Sequence, residues 1–166
     1  MIAGILRPDS GHVAVAGRTL FDAARAIDLP PEQRRCGYVF QDNRLFPHMS
    51  VRGNLTYGSG ARAGGGYRAD LDEITALLGL EALLDRGPRT LSGGEAKRVA
   101  IGRALLSQPD FLLLDEPLTS IDPARRESIL DAIDRIRSEV GLPMLLVSHR
   151  ADEVDRVAGR IVRMAG

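Results

Sequence analysis

The sequence predicts an α/β protein built on a parallel sheet, and three observations carry that prediction. Residues 111–114 are a wholly apolar run, as expected of a strand covered on both faces, and residues 144–147 are a second apolar strand. Between them Asp122-Pro123 opens a helix, Asp as cap and Pro at the first position. Its Ile129, Leu130, Ile133, Ile136 and Val140 form one apolar stripe, which Gly141 ends. Such a strand–helix–strand unit makes the two strands parallel, adjacent or nearly so, with a right-handed crossover. Third, residues 12–16 alternate with period two, Gly17-Arg18 turns and Thr19-Leu20-Phe21 returns, which predicts a small antiparallel hairpin region ahead of that sheet.

The remaining segments follow in chain order. Arg7-Pro8-Asp9-Ser10-Gly11 is a tight turn by composition. Residues 28–35, with Pro30-Pro31, read as a loop, and residues 36–40 as a short apolar strand ending at Gln41. The glycine-rich stretch 58–66 reads as a flexible loop. Asp70 caps a helix, with Glu73 three residues on, Leu71, Ile74, Leu77 and Leu78 along one face, and Gly79 as the stop. There is no internal repeat and no heptad array.

Composition narrows the function classes. A length of 166 residues suits one compact domain, and 44% hydrophobic residues is ordinary for a soluble globular chain. No apolar run approaches the roughly 18 residues of a membrane span. Residues 1–6 are apolar, but no basic region precedes them and Arg7-Pro8-Asp9 follows, which argues against a signal peptide. The single cysteine, Cys36, forms no internal disulfide and fits a reducing compartment. Basic and acidic residues balance at 22 each with no basic block, which argues against nucleic acid as the main partner. One of those basic residues, Lys97, is the only lysine, so any lysine-dependent motif is easy to test.

In an open parallel sheet, ligands bind beyond the carboxyl ends of the strands. Asp115-Glu116 follow one predicted strand, Ser148-His149 another and Gln41 a third. Their chemistry is coherent: a carboxylate suited to Mg²⁺, a second able to polarise water, an amide and an imidazole. Singly, each has a plainer reading. An acidic pair after a strand is often a solvated loop start, Glu116-Pro117 reads as a turn, a lone histidine is more often structural, and Gln41 alone carries no weight. Joint placement at strand ends is what favours a site. Leu91-Ser92-Gly93-Gly94-Glu95 adds to it. Ser92 and Glu95 suffice for a capping box, with Val99, Ala100 and Ala104 along one side of the helix that follows. A cap needs no pair of glycines in the first turn, where each costs about 0.8–1.0 kcal/mol relative to alanine. Bare backbone there suits close approach of an anion.

These segments resemble the ATP-binding-cassette (ABC) ATPases. Residues 91–95 are similar to the signature motif, 111–116 to the Walker B strand, Ser120-Ile121-Asp122 to the D-loop, His149 to the switch histidine and Gln41 to the Q-loop glutamine. The resemblance implies a P-loop-type ABC ATPase core with a parallel sheet, a small antiparallel hairpin region and an inserted α-helical subdomain. Residues 1–166 are then one partial domain: 1–41 the β-rich part and Q-loop, 42–106 the helical subdomain with the signature, and 107–166 the Walker B to switch-histidine core. It implies ATP and Mg²⁺ as cofactors. Asp115 and Gln41 would serve the metal, Glu116 would be the general base, and His149 would contact the γ-phosphate. Gln41, Ser92, Gly93, Gly94, Glu95 and Asp122 would bind nucleotide, the signature residues acting on ATP held by a second subunit in a head-to-tail homodimer.

Residues 41–55, including Arg52-Gly53-Asn54-Leu55, together with Glu95, are similar to importer ATPases, most of all those for molybdate. That similarity implies a peripheral subunit on the cytoplasmic face of the bacterial inner membrane, paired with integral permease subunits and, indirectly, a periplasmic solute-binding protein. Leu45 and Phe46 read either as apolar anchors for a permease helix or as core of the helical subdomain. Two alternatives stand beside this reading: a non-catalytic cassette remnant that donates its signature face to a complete ATPase, and an importer ATPase for another solute.

One departure from the family is plain. A cassette ATPase needs a glycine-rich loop ending in Gly-Lys-[Ser/Thr], whereas Lys97 lies between Ala96 and Arg98. Met1-Ile2-Ala3-Gly4 is similar to the end of the helix that follows that loop. The sequence is therefore expected to be N-terminally truncated, with ATPase activity a property of the full-length protein and not of this chain alone.

Overall fold

The computed structural model describes residues 1–59, 70–119 and 121–163. The predicted hairpin forms β1 (His12–Val15) and β2 (Arg18–Asp22), paired antiparallel, and β2 pairs on its other side with β3 (Ile27–Asp28). A one-turn helix, α1 (Pro31–Arg34), then leads to β4 (Cys36–Val39). The expected loop at 28–35 is thus replaced by an edge strand and a turn of helix. Pro31 stands at the helix's first position, where its missing N–H costs nothing. Arg34 is buried and donates to the carbonyls of Leu29, Met1 and Ile2 and to the Asp28 carboxylate. One side chain thereby ties the turn at residues 1–4 to the sheet.

The middle of the chain is helical: α2 (Val51–Thr56), α3 (Leu71–Leu78) and α4 (Gly93–Leu106). Every expected feature of α3 is present. Asp70 and Glu73 close a reciprocal capping box, Ile74, Leu77 and Leu78 are buried, and Gly79 takes a left-handed φ of 60°. Gly58 and Ser59 lie in a turn, while residues 60–66 of the expected glycine-rich loop lie outside the described residues. Helix α4 crosses α2 and α3 at close quarters. A Cβ on Gly102 would stand 2.7 Å from Leu55 Cδ2 and 3.1 Å from Leu78 Cδ1, so only glycine lets the three helices pack this tightly.

The last third contains β5 (Phe111–Asp115), α5 (Pro123–Arg135), β6 (Met144–Val147) and α6 (Ala151–Val157). Strands β4, β5 and β6 form a parallel sheet in that order, so the two strands flanking α5 are adjacent as the pattern predicts. Helix α5 ends in a single π turn, Ile136–Val140, before Gly141 at φ 67°. Alternate β5 residues face opposite sides. Leu112 and Leu114 join a large core with α4 and α5, whereas Phe111 and Leu113 pack with Leu20 and the hairpin side. This double cover is why the β5 run is apolar without alternation. No helix among the described residues is long and apolar enough to cross a membrane.

Candidate functional site

The parallel register fixes where the polar residues emerge. Val39 pairs with Leu114, and Asp115 with Val147, so Gln41, Asp115-Glu116 and Ser148-His149 all leave the sheet at its carboxyl edge. Two of the expected residues, Glu116 and His149, contact each other there, and a third, Asp115, is bonded to Tyr38. The phenol of Tyr38 donates to Asp115 Oδ2 at 2.8 Å, linking β4 to the end of β5. Burial and that hydrogen bond raise the Tyr38 phenol above its ordinary value, which keeps it a donor.

Glu116 is the most constrained of the set. Its backbone is left-handed at φ 46°, a conformation that costs a non-glycine residue roughly 1–2 kcal/mol. Its side chain is only 14% exposed. Oε1 accepts from the His149 backbone N–H at 3.0 Å and lies 3.4 Å from His149 Nε2, while Oε2 accepts from the Thr119 hydroxyl at 2.9 Å. Its backbone N–H donates to the Val147 carbonyl at 2.9 Å. The His149 ring itself is 94% exposed. The carboxylate is therefore held from two sides, and one face of the imidazole is left open to a ligand.

The signature segment lies at the N-terminus of α4. Ser92 Oγ accepts from the Glu95 N–H at 3.3 Å, and Glu95 Oε2 accepts from the Ser92 N–H at 2.7 Å. The capping-box reading is therefore correct as far as it goes, and that backbone hydrogen bond holds the Glu95 carboxyl below its usual range. It does not explain the glycine at 94. A Cβ there would meet Arg125 Cβ at 3.5 Å, an ordinary contact, so the fold does not require Gly94 to be bare. Gly93 is the first residue of the same helix. Asp122 caps α5 by accepting from the Ala124 N–H at 2.9 Å. Ser120, the first residue of the predicted D-loop, lies outside the described residues.

Sequence reasoning missed four side chains that shape the site. Thr119 and Tyr38 are single polar residues with no pattern to mark them. Lys97 Nζ donates to the carbonyls of Gln41 (2.8 Å) and Phe40 (3.1 Å). Asn54, buried in α2, accepts from the Phe46 N–H at 2.7 Å and donates to the Phe46 and Ser50 carbonyls, both at 3.1 Å. Asn54 thereby gives a physical reason for one residue of the 52–55 segment. Leu45 is half-buried against the large core, and the Phe46 ring lies 4.3 Å from Tyr57 and beneath the Arg103 guanidinium. Both side chains thus pack onto the helical section.

The chemistry of the donor set suits Mg²⁺ with a phosphorylated ligand. Mg²⁺ is commonly held by one or two carboxylates together with substrate phosphates and needs no all-protein cage. Asp115 offers such a carboxylate, and no cluster of three or more His, Cys, Asp or Glu side chains placed to hold a metal is found among the described residues. A sheet edge carrying a clamped carboxylate, together with a glycine-bearing helix terminus at the start of α4, is an arrangement whose chemistry suits an anionic, metal-bound ligand.

Comparison with known proteins agrees with that chemistry. Residues 1–119 match the family described as ABC transporter, and this chain belongs to it. It is 59% identical over 167 residues to the molybdenum import ATP-binding protein ModC of Brucella melitensis and 53% identical over 166 residues to that of Paramagnetospirillum magneticum. Those alignments take in 99% and 100% of this chain but 46% of each relative, so the chain spans about half the length of the curated relatives it matches. Among solved structures, CbiO1 from Clostridium perfringens, part of the ABC transporter complex CbiONQ, is 29% identical with a TM-score of 0.73. That match covers 92% of this chain and 61% of CbiO1. The dimeric bacterial cassette MJ0796 shares the fold, at 24% identity and a TM-score of 0.69, over 93% of this chain and 69% of its own.

Proposed function

We propose that this chain is part of an ATP-hydrolysing subunit that energises a bacterial importer for molybdate or a similar oxyanion. The observation that carries the catalytic half is Glu116, a left-handed residue at a strand end whose carboxylate is fixed by Thr119 and His149. Five other non-glycine residues share a left-handed φ, so what supports the reading is the combination at Glu116 of that backbone with a bond-held carboxylate at a strand end. In this reading Glu116 takes the proton from the attacking water. His149 orients the terminal phosphate with its exposed ring, and Asp115, steadied by Tyr38, is the residue that fits Mg²⁺. That ion, when bound, neutralises charge on the β- and γ-phosphate oxygens. Gln41 lines the same edge and senses the ligand. Ser92, through its hydroxyl, and Gly93 and Gly94, through backbone N–H groups, meet the γ-phosphate held by a second, head-to-tail subunit, with Glu95 setting the cap through the Ser92 N–H and Asp122 lying at the start of α5.

The solute half rests on relatives named for molybdenum import, and it brings with it permease subunits, a solute-binding protein and a place on the cytoplasmic face of the inner membrane. Lys97, its amine already bonded to two carbonyls, is not the phosphate-gripping lysine of such an enzyme. The full-length protein, reconstituted with its permease in vesicles, tests the assignment. ATP hydrolysis should rise when a molybdate-loaded binding protein is added and stay flat with the unloaded one. A response to a different solute alone refutes the oxyanion assignment, and no hydrolysis under any condition refutes the catalytic one.

A further inference from the structure

Lys97 is the only lysine in the sequence and is 1% exposed. A buried ammonium is costly unless its donors are met. Here two of its three donors are met by the carbonyls of Phe40 and Gln41, in a stretch, residues 40–50, that contains no strand or helix. Further along α4, Arg103 does the same for the next residues, donating to the Arg44 carbonyl at 2.8 Å and the Asn43 carbonyl at 3.3 Å. The backbone around Gln41 thus hangs from α4 through cationic side chains instead of through a ladder of its own.

We propose that Lys97 is a positioning residue that fixes the Gln41 turn to the helix whose N-terminus carries Ser92, Gly93 and Gly94. The inference rests on the roles given to Gln41 and the signature residues above. Four residues, about 6 Å of helix, separate Gly93 from Lys97. The element facing this subunit's own nucleotide and the element facing its partner's then move as one rigid body, which couples the two hydrolysis sites. A lysine suits the task, being a compact charge with three donors on a flexible stem. Methionine keeps its length and loses every donor.

The test compares wild type, Lys97→Met, Lys97→Arg and Lys97→Gln in the full-length protein. Amide hydrogen exchange is read at residues 41–45, and the ATP dependence of hydrolysis gives the Hill coefficient. In Lys97→Met, exchange at 41–45 should quicken about tenfold or more, the effect of losing roughly one charge-assisted hydrogen bond. Exchange in β4, β5 and α4 should stay unchanged. The Hill coefficient should fall toward one while half-saturating ATP moves less than about twofold, and Lys97→Arg should restore both readings. Unchanged exchange overturns the proposal. So does faster exchange with a wild-type Hill coefficient, which makes the contact merely structural. If the methionine variant does not fold, Lys97→Gln, with an amide donor but no charge and shorter reach, is held to the same two criteria. A wild type that hydrolyses no ATP refutes the proposed function instead, and the exchange measurement then decides alone whether Lys97 holds the Gln41 turn.

Discussion

Replacing Glu116 with glutamine removes basicity while leaving the geometry almost untouched. The carboxylate accepts from the His149 N–H at 3.0 Å and from the Thr119 hydroxyl at 2.9 Å. A glutamine can place its carbonyl oxygen on His149 and its amide toward Thr119, whose hydroxyl reverses and accepts. The backbone at φ 46° carries the same strain in either case. Folded stability should therefore change by no more than about 1 kcal/mol, the scale of one altered neutral hydrogen bond. Turnover is another matter. Loss of a general base costs about 10²–10⁴ in rate, or roughly 3–5 kcal/mol of transition-state stabilisation. Steady-state phosphate release by the full-length protein at saturating ATP, alongside a thermal melt, separates the two effects. The expected variant melts near wild type, retains bound nucleotide and releases phosphate at least a hundredfold more slowly. A variant that keeps more than about a tenth of wild-type turnover, with its melt unchanged, removes Glu116 from the role of base.

Two further expectations follow from buried titratable groups. Lys97 is depressed from 10.5 to about 8, so the unfolded chain binds more protons than the folded one between those values; wild-type stability, measured against Lys97→Met by denaturant unfolding, should rise with pH from about 8 to 10.5 by roughly 3 kcal/mol and be flat below 8. Partial burial pushes the Cys36 thiol from 9.0 up to about 12; because the thiolate is the nucleophile and its reactivity rises partly with pKa, maleimide or iodoacetamide at neutral pH should modify it about thirtyfold more slowly in the folded protein than in denaturant, and equal rates would disprove that shielding.

Local signals made much of this fold legible. Helix α3 is written into Asp70, Glu73 and Gly79, each acting within a few residues of itself, and all three do in the structure what their types dictate. The unbroken apolar run of β5 agrees with its burial on both sides, whereas the equally apolar run of β6 leaves Leu145 and Val147 exposed, so an apolar run alone does not fix double cover. What escaped is tertiary. Residues 27 and 28 become a strand only because Phe21 and Asp22 of β2 lie across from them. Arg34 and Lys97 are buried against the expectation for charged residues, each because a set of distant carbonyls receives its donors. The candidate site divides in the same way. Strand-end placement of Gln41, Asp115, Glu116 and His149 could be read from the short apolar runs that precede them, whereas Thr119 and Tyr38 enter through single hydrogen bonds that no pattern announces.

The backbone at Glu116 shows why the site must be a product of the whole sheet. A residue before proline is steered toward extended conformations, and Pro117 follows directly. Glu116 instead sits at φ 46°, so neither its own type nor its neighbour favours the conformation observed. What opposes that local preference is a ring of bonds to both flanking segments. The Glu116 N–H donates to Val147 at the end of β6, the Thr119 N–H returns to the Glu116 carbonyl at 3.2 Å, and the side chain is gripped by Thr119 and by the His149 N–H. Of these partners, Val147 and His149 reach Glu116 only once β6 has docked beside β5. The carboxylate is thus aimed by completion of the sheet, with its strain and its position arising together.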